Sequence, residues 1–248
     1  MTWFEALVVF LAGIGAGTIN AVVGSGTLIT FPALLAIGLP PVVANVSNTA
    51  GLAPGSLAAA YGYRRELRGQ RGRLIRFVPA SIIGTLIGAV LLLALPSSAF
   101  DAIVPALILL GCLLVVLQPR LARLISRPDG DHHGVWWVWP AVLVAGVYGG
   151  YFGAAQGVLL MAILGIGLDP DLQRMNAIKN VLAMVVNAVA AVVFIIFADI
   201  DWTVAVLIAV GSTIGGFLGA AFGRRLPPIA LRGFIVVIGV IAVVAILF

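Results

Sequence analysis

Gly24-Ser25-Gly26-Thr27 and Gly153-Ala154-Ala155-Gln156-Gly157 are the two stretches whose residue types and spacing could do chemistry. Each interrupts an apolar run where a membrane helix should be strongest. Glycine lets a ligand come close to the backbone. Ser25, Thr27 and Gln156 add side-chain donors. A helix that restarts after each break offers unpaired N–H groups and about half a positive charge. Two such helix starts facing each other would cradle an oxyanion without a full counter-charge. Ser25 or Thr27 could also cap the restarting helix. The bland alternative is close helix packing through small residues.

Further polar residues lie in the apolar segments that follow. Asn45, Ser47, Asn48 and Thr49 head one, and Asn176, Lys179 and Asn180 head another, with Asn187 two turns deeper. Such residues are costly in a bilayer unless paired or functional. Lys179 is the only lysine. It would neutralise an anion, draw one into an inner vestibule, or snorkel to the cytoplasmic interface. Asn20 is another candidate for lining the site, and Asn187 fits an interhelical hydrogen bond. No Asp or Glu falls deep in a span, so a proton-carrying carboxylate is not expected. His132 and His133, beside Asp131, read as a solvated turn and not a metal site. No catalytic constellation, nucleotide loop, cofactor motif or metal-ligand spacing appears, and the chain is not expected to be an enzyme.

The elements that must position these residues follow from composition. The 248 residues are 62% hydrophobic and 9% charged, with a mean hydropathy of +1.19. A soluble surface needs about 25% charged residues, so the lipid bilayer is the expected partner. The single cysteine, Cys112, excludes an internal disulfide framework. The net charge of +5 comes from arginines between apolar runs; it controls topology and does not suggest nucleic acid. The first run reads as a retained span, not a signal peptide. The spacing predicts segments over 3–23, 27–37, 43–63, 74–95 and 99–117, then 135–152, 158–168, 175–198, 204–222 and 229–248. Pro54-Gly55 is a candidate kink, and Trp136, Trp137 and Trp139 suggest an interfacial belt.

The two halves share an order: a broken run, a Gly-Leu turn with proline, a polar-headed segment, then two long segments. The expected organisation is a first membrane repeat over 1–118, a cytoplasmic linker over 119–134 and a second repeat over 135–248. Basic loops belong inside. That places the arginines of 64–76, 120–127 and 224–232 inside, and Asp101 and Asp199 outside. Crossing parity then makes each broken run a re-entrant or fully spanning pair. Both termini fall outside, and the repeats are inverted. The fold class is an all-α polytopic membrane protein of two inverted-topology repeats, each a broken pair followed by three transmembrane helices. Inverted repeats with discontinuous helices are a transporter architecture, with the site near the midplane.

Gly24-Ser25-Gly26-Thr27-Leu28-Ile29 with Pro32 and Leu35, and Arg174-Met175-Asn176-Ala177-Ile178-Lys179-Asn180-Val181 ending at Asp201-Trp202, resemble the two repeats of the TauE/SafE sulfite exporter family. This is also called the toluene sulfonate uptake permease family, and the resemblance spans the whole chain. Ser25 interrupts a glycine cluster that is richer in the family, and Gln156 stands where glycine is common. The resemblance implies sulfite, sulfonates or related small sulfur anions as substrates, moved across the plasma membrane. The expected binding set is Asn20, Gly24, Ser25, Gly26, Thr27, Asn48, Thr49, Gln156, Gly157, Asn176, Lys179 and Asn180. An uptake carrier or channel for another small anion, and a non-transport membrane subunit, are the alternatives. A homo-oligomer stays open.

Overall fold

The computed structural model describes residues 1–125, 136–167, 171–222 and 228–247. They form helices α1 (Trp3–Val22), α2 (Thr27–Ala36), α3 (Pro41–Gly62), α4 (Arg71–Ala94) and α5 (Ser97–Ile125). Then come α6 (Val138–Tyr151), α7 (Gln156–Gly167), α8 (Leu172–Phe197), α9 (Trp202–Phe222) and α10 (Pro228–Leu247). Helix is what a lipid environment demands, because it satisfies backbone polar groups within the segment. Among the described residues, α1, α4, residues 97–117 of α5, α8 and α9 are long and apolar enough to cross a bilayer. Large apolar side chains such as Leu91, Ile196, Phe197 and Phe222 stand exposed on them. On a membrane protein that is the lipid-facing surface. The chain is an all-α polytopic membrane protein.

Helix ends follow local chemistry. Thr2 and Glu5 form a capping box at the start of α1. Pro41 opens α3 at a position where no N–H is needed. Asp171 accepts from the amides of Gln173 and Arg174 and caps α8. Some boundaries differ from the sequence expectation. Helix α5 runs past Pro119 to Ile125, into the stretch expected to be linker, where Leu121, Ala122, Arg123 and Leu124 are good helix formers. Helix α6 starts at Val138 and not at 135. The His132-His133 pair, the Asp169-Pro170 turn and Arg224-Arg225 lie outside the described residues.

The halves repeat the same helix order. The starts of α3, α4 and α5 recur 131 positions later in α8, α9 and α10 (41→172, 71→202, 97→228). Contacts recur with them, exchanged between halves. Helix α9 packs on α1, with Gly215 and Gly219 facing the carbonyls of Ile14 and Thr18. Helix α4 packs on α6, with Gly84 and Gly88 facing those of Leu143 and Val147. At all four positions an added methyl would run into the partner backbone, so small residues set the helix separation.

Two further features fix the frame around the breaks. Helix α2 folds back along α1: Gly26 lies against Ala16, and Ile29 reaches Gly15. Helices α3 and α8 run antiparallel. The Asp201 amide beyond the end of α8 donates to Ser47 near the start of α3 (2.9 Å). Gln70, beyond the end of α3, donates to the Arg174 carbonyl near the start of α8 (3.5 Å).

Candidate functional site

Both breaks close by the same turn. The amides of Val23 and Gly24 donate to the Ile19 carbonyl at 2.7 and 3.1 Å. Those of Phe152 and Gly153 both donate to the Tyr148 carbonyl at 3.0 Å. Gly24 (φ 85°) and Gly153 (φ 77°) occupy the left-handed region that ends helices and favours glycine. Ala155 (φ 58°) holds the same region with a methyl group, a strained choice beside the second break.

The breaks meet. The Gly157 amide donates to the Gly24 carbonyl at 3.0 Å. A methyl on either glycine would overlap the other's backbone. Phe31 and Phe152 pack edge to face at 5.1 Å and brace this junction. Asn20 donates to Ser56 at 3.3 Å, and Asn48 donates to Thr27 at 3.4 Å. Asn48 and Ser56 lie about 10 and 22 Å along α3, a helix of about 33 Å. The junction therefore sits in the middle third of α3.

Three groups of residues surround it. At the end of α1, Lys179 donates to the carbonyls of Asn20 (2.9 Å) and Ala21 (3.1 Å). Asn176 and Asn180 also donate to Ala21, at 3.2 and 3.1 Å. Lys179 is completely buried. It neither snorkels to the interface nor stands in an open vestibule, because the carbonyls left unpaired at a helix end hold the ammonium. On the other side, Thr30 donates to Asn48, which donates to Thr27. Thr49 turns its hydroxyl back to the Asn45 carbonyl of its own helix. Asn45 donates to the Tyr151 carbonyl at the end of α6 (2.9 Å), the place matching that of Asn176 at the end of α1.

The third group is polar, buried and without partners. Ser25 Oγ, Gln156 Nε2, Asn45 Oδ1, Asn176 Oδ1 and Tyr151 Oη make no hydrogen bond. Gln173 Oε1, near the start of α8, is also unpartnered; buried polar atoms are almost always paired, so each of these calls for a missing partner. The amides of Ser25, Gly26 and Thr27 also lack a backbone acceptor among the described residues. Neither Ser25 nor Thr27 caps α2: its N-cap is Gly26, with no side-chain cap bond. Gly26 itself is filled from behind by α1, at the Ala16 carbonyl and Asn20 Cβ. Gln156 folds its side chain into the space that Gly149 leaves open.

A family model described as sulfite exporter TauE/SafE matches residues 9–246. The chain belongs to the TauE/SafE sulfite exporter family. It is 29% identical over 218 residues to a probable membrane transporter protein of Haemophilus influenzae, covering 86% of this chain and 83% of the relative. A probable membrane transporter protein of Sinorhizobium is 30% identical over 224 residues, covering 87% and 80%. One of Bacillus subtilis is 26% identical over 247 residues, covering 98% of both. No solved structure matches. This TauE/SafE chain is thus a membrane protein of a transporter family.

Ser56 was not among the sequence candidates. It accepts from both Asn20 and Asn187, the latter at 2.7 Å. Ser56 and Asn187 are 131 positions apart, so equivalent residues of the two halves meet at the centre. The repeat offset was the signal that could have found them. Thr30 and Tyr151 were also missed, since a threonine and a tyrosine within apolar helices look ordinary. A cavity of about 730 Å³ lies between α1, α2, α5 and α10, lined by Val8, Gly15, Ile29, Pro32 and Val104. Its walls are apolar apart from Asp101, and none of the expected binding residues lines it.

Proposed function

We propose that this chain is a secondary transporter that exports a small sulfur-containing anion, such as sulfite or an organosulfonate, across the plasma membrane. The anion is held where the two breaks meet. One observation carries the reading: Lys179 is fully buried, has no carboxylate partner among the described residues, and shares the Ala21 carbonyl with Asn176, whose Oδ1 has no partner. A buried charge is tolerated when compensated, and the complement of this one is an anion. Ser25 Oγ, Gln156 Nε2 and the amides of Ser25, Gly26 and Thr27 supply donors for its oxygens. The Gly157 amide is committed to Gly24 and contributes only to the frame.

The sulfur chemistry of the substrate comes from the family. The antiparallel α3 and α8 and the exchanged helix contacts support two inverted repeats. With basic loops inside, both termini lie outside. Purified protein in liposomes tests the reading by counterflow of sulfite, thiosulfate, sulfoacetate and sulfate. Saturable exchange of sulfite or a sulfonate is expected. Exchange of none of these anions would sink it.

A further inference from the structure

The last turn of α1 is where a coupling cation would stand. In carriers built on broken helices, carbonyls at the C-terminal end of a half-helix coordinate Na⁺. These groups lack intrahelical partners and carry the negative end of the dipole. In this chain the equivalent carbonyls are occupied. Lys179 Nζ lies 2.9 Å from the Asn20 oxygen and 3.1 Å from that of Ala21. The amides of Asn176 and Asn180 reach the same Ala21 oxygen at 3.2 and 3.1 Å. That oxygen already accepts three hydrogen bonds, and its lone pairs are taken. The matching position in the first half, 131 residues earlier, is Asn48. It is neutral and engages Thr27 and Thr30 instead. The positive charge therefore occurs once in the two halves.

We propose that Lys179 is a tethered counter-charge filling the place of a coupling cation, so that the anion crosses alone and transport is electrogenic and independent of sodium. The inference rests on the anion-transport reading above. Among the described residues, the carboxylates Glu5, Glu66, Asp101, Asp171, Asp199 and Asp201 lie at helix ends or in loops. Glu5 and Asp101 fall within the first two turns of α1 and α5, so none of these stands deep in a span to carry a proton with the substrate. Lys179 stays with the protein, so each turnover moves the charge of the substrate itself. An inside-negative potential then drives the anion outward without any ion gradient.

Wild-type protein in liposomes, with sulfite as the probe, tests this. A tenfold potassium gradient is clamped with valinomycin at fixed pH. Sulfite is expected to accumulate tenfold or more on the positive side, equally in sodium and in choline medium. Accumulation that ignores the potential, or requires sodium, while sulfite counterflow is intact, overturns this inference and leaves the transport reading standing. Absence of sulfite counterflow removes both. Lys179→Asn, which installs the residue of the matching position, is expected to lose at least tenfold of its counterflow in choline medium and to regain part of it in sodium. Full counterflow of that variant in choline medium would contradict the role given to the charge.

Discussion

Ser25 carries its hydroxyl into a buried position with no partner. An unpaired buried group adds nothing to stability, whereas a hydrogen bond to a charged ligand is worth about 1.5–3 kcal/mol. Ser25→Ala should therefore leave the melting temperature unchanged or raise it, while weakening sulfite binding by about tenfold or more. Thermal unfolding and calorimetric titration separate the two effects. A stability loss with unchanged binding would make Ser25 a packing residue. Lys179 behaves by the same logic. The Ala21 carbonyl keeps the Asn176 and Asn180 amides when Lys179 is removed. The Asn20 carbonyl loses its donor, a cost of about 1–3 kcal/mol, while the penalty of burying an amine without a carboxylate partner is removed. Lys179→Met should thus fold and insert while losing sulfite binding. Retained affinity in titration would remove the ammonium from the site. Sequence alone marked Ser25, Gln156 and Lys179 as candidates. It could not tell that Thr49 bonds its own helix or that the Gly157 amide is taken, since both depend on which face of a helix meets which neighbour.

At the level of elements, the junction forms because two interrupted helices touch at Gly24 and Gly157. The interruption was legible, since glycine clusters inside overlong apolar runs have few other readings. The contact was not, because nothing in a linear pattern says that α2 folds back on α1 and brings its start to α7. Gly24→Ala places a methyl both at a left-handed φ and inside the Gly157 backbone. The first effect costs about 1–2 kcal/mol and overpacking about 1–3 kcal/mol more. Unfolding in detergent should reveal a loss of that size, with transport lost alongside. A fully stable, active Gly24→Ala protein would show that the breaks need not touch. The glycine seams act in the same way at the outer contacts. Gly88→Leu should separate α4 from α6, and near-normal stability would argue against that packing.

For the whole molecule, the helix order and the length of the repeat could be read from the sequence, because membrane spans are set by hydropathy. The exchange of partners between halves could not, as it rests on Gly84, Gly88, Gly215 and Gly219 meeting carbonyls far along the chain. The proposed inversion of the repeats would put the loop after α3 and the turn after α8 on opposite faces of the membrane. Cysteines introduced at Arg68 and Asp201, in a Cys112→Ser background, should be labelled from opposite sides by an impermeant reagent. Labelling from one side would refute the inversion.

The central claim is that the junction of the two breaks binds a small sulfur anion. Calorimetric titration of sulfite into the purified protein, with the Ser25→Ala/Gln156→Ala double variant alongside, tests it most directly. Saturable binding to the wild type and at least tenfold weaker binding to an equally stable double variant is the expected result. Equal affinity of the two proteins, or no binding to either, would contradict it.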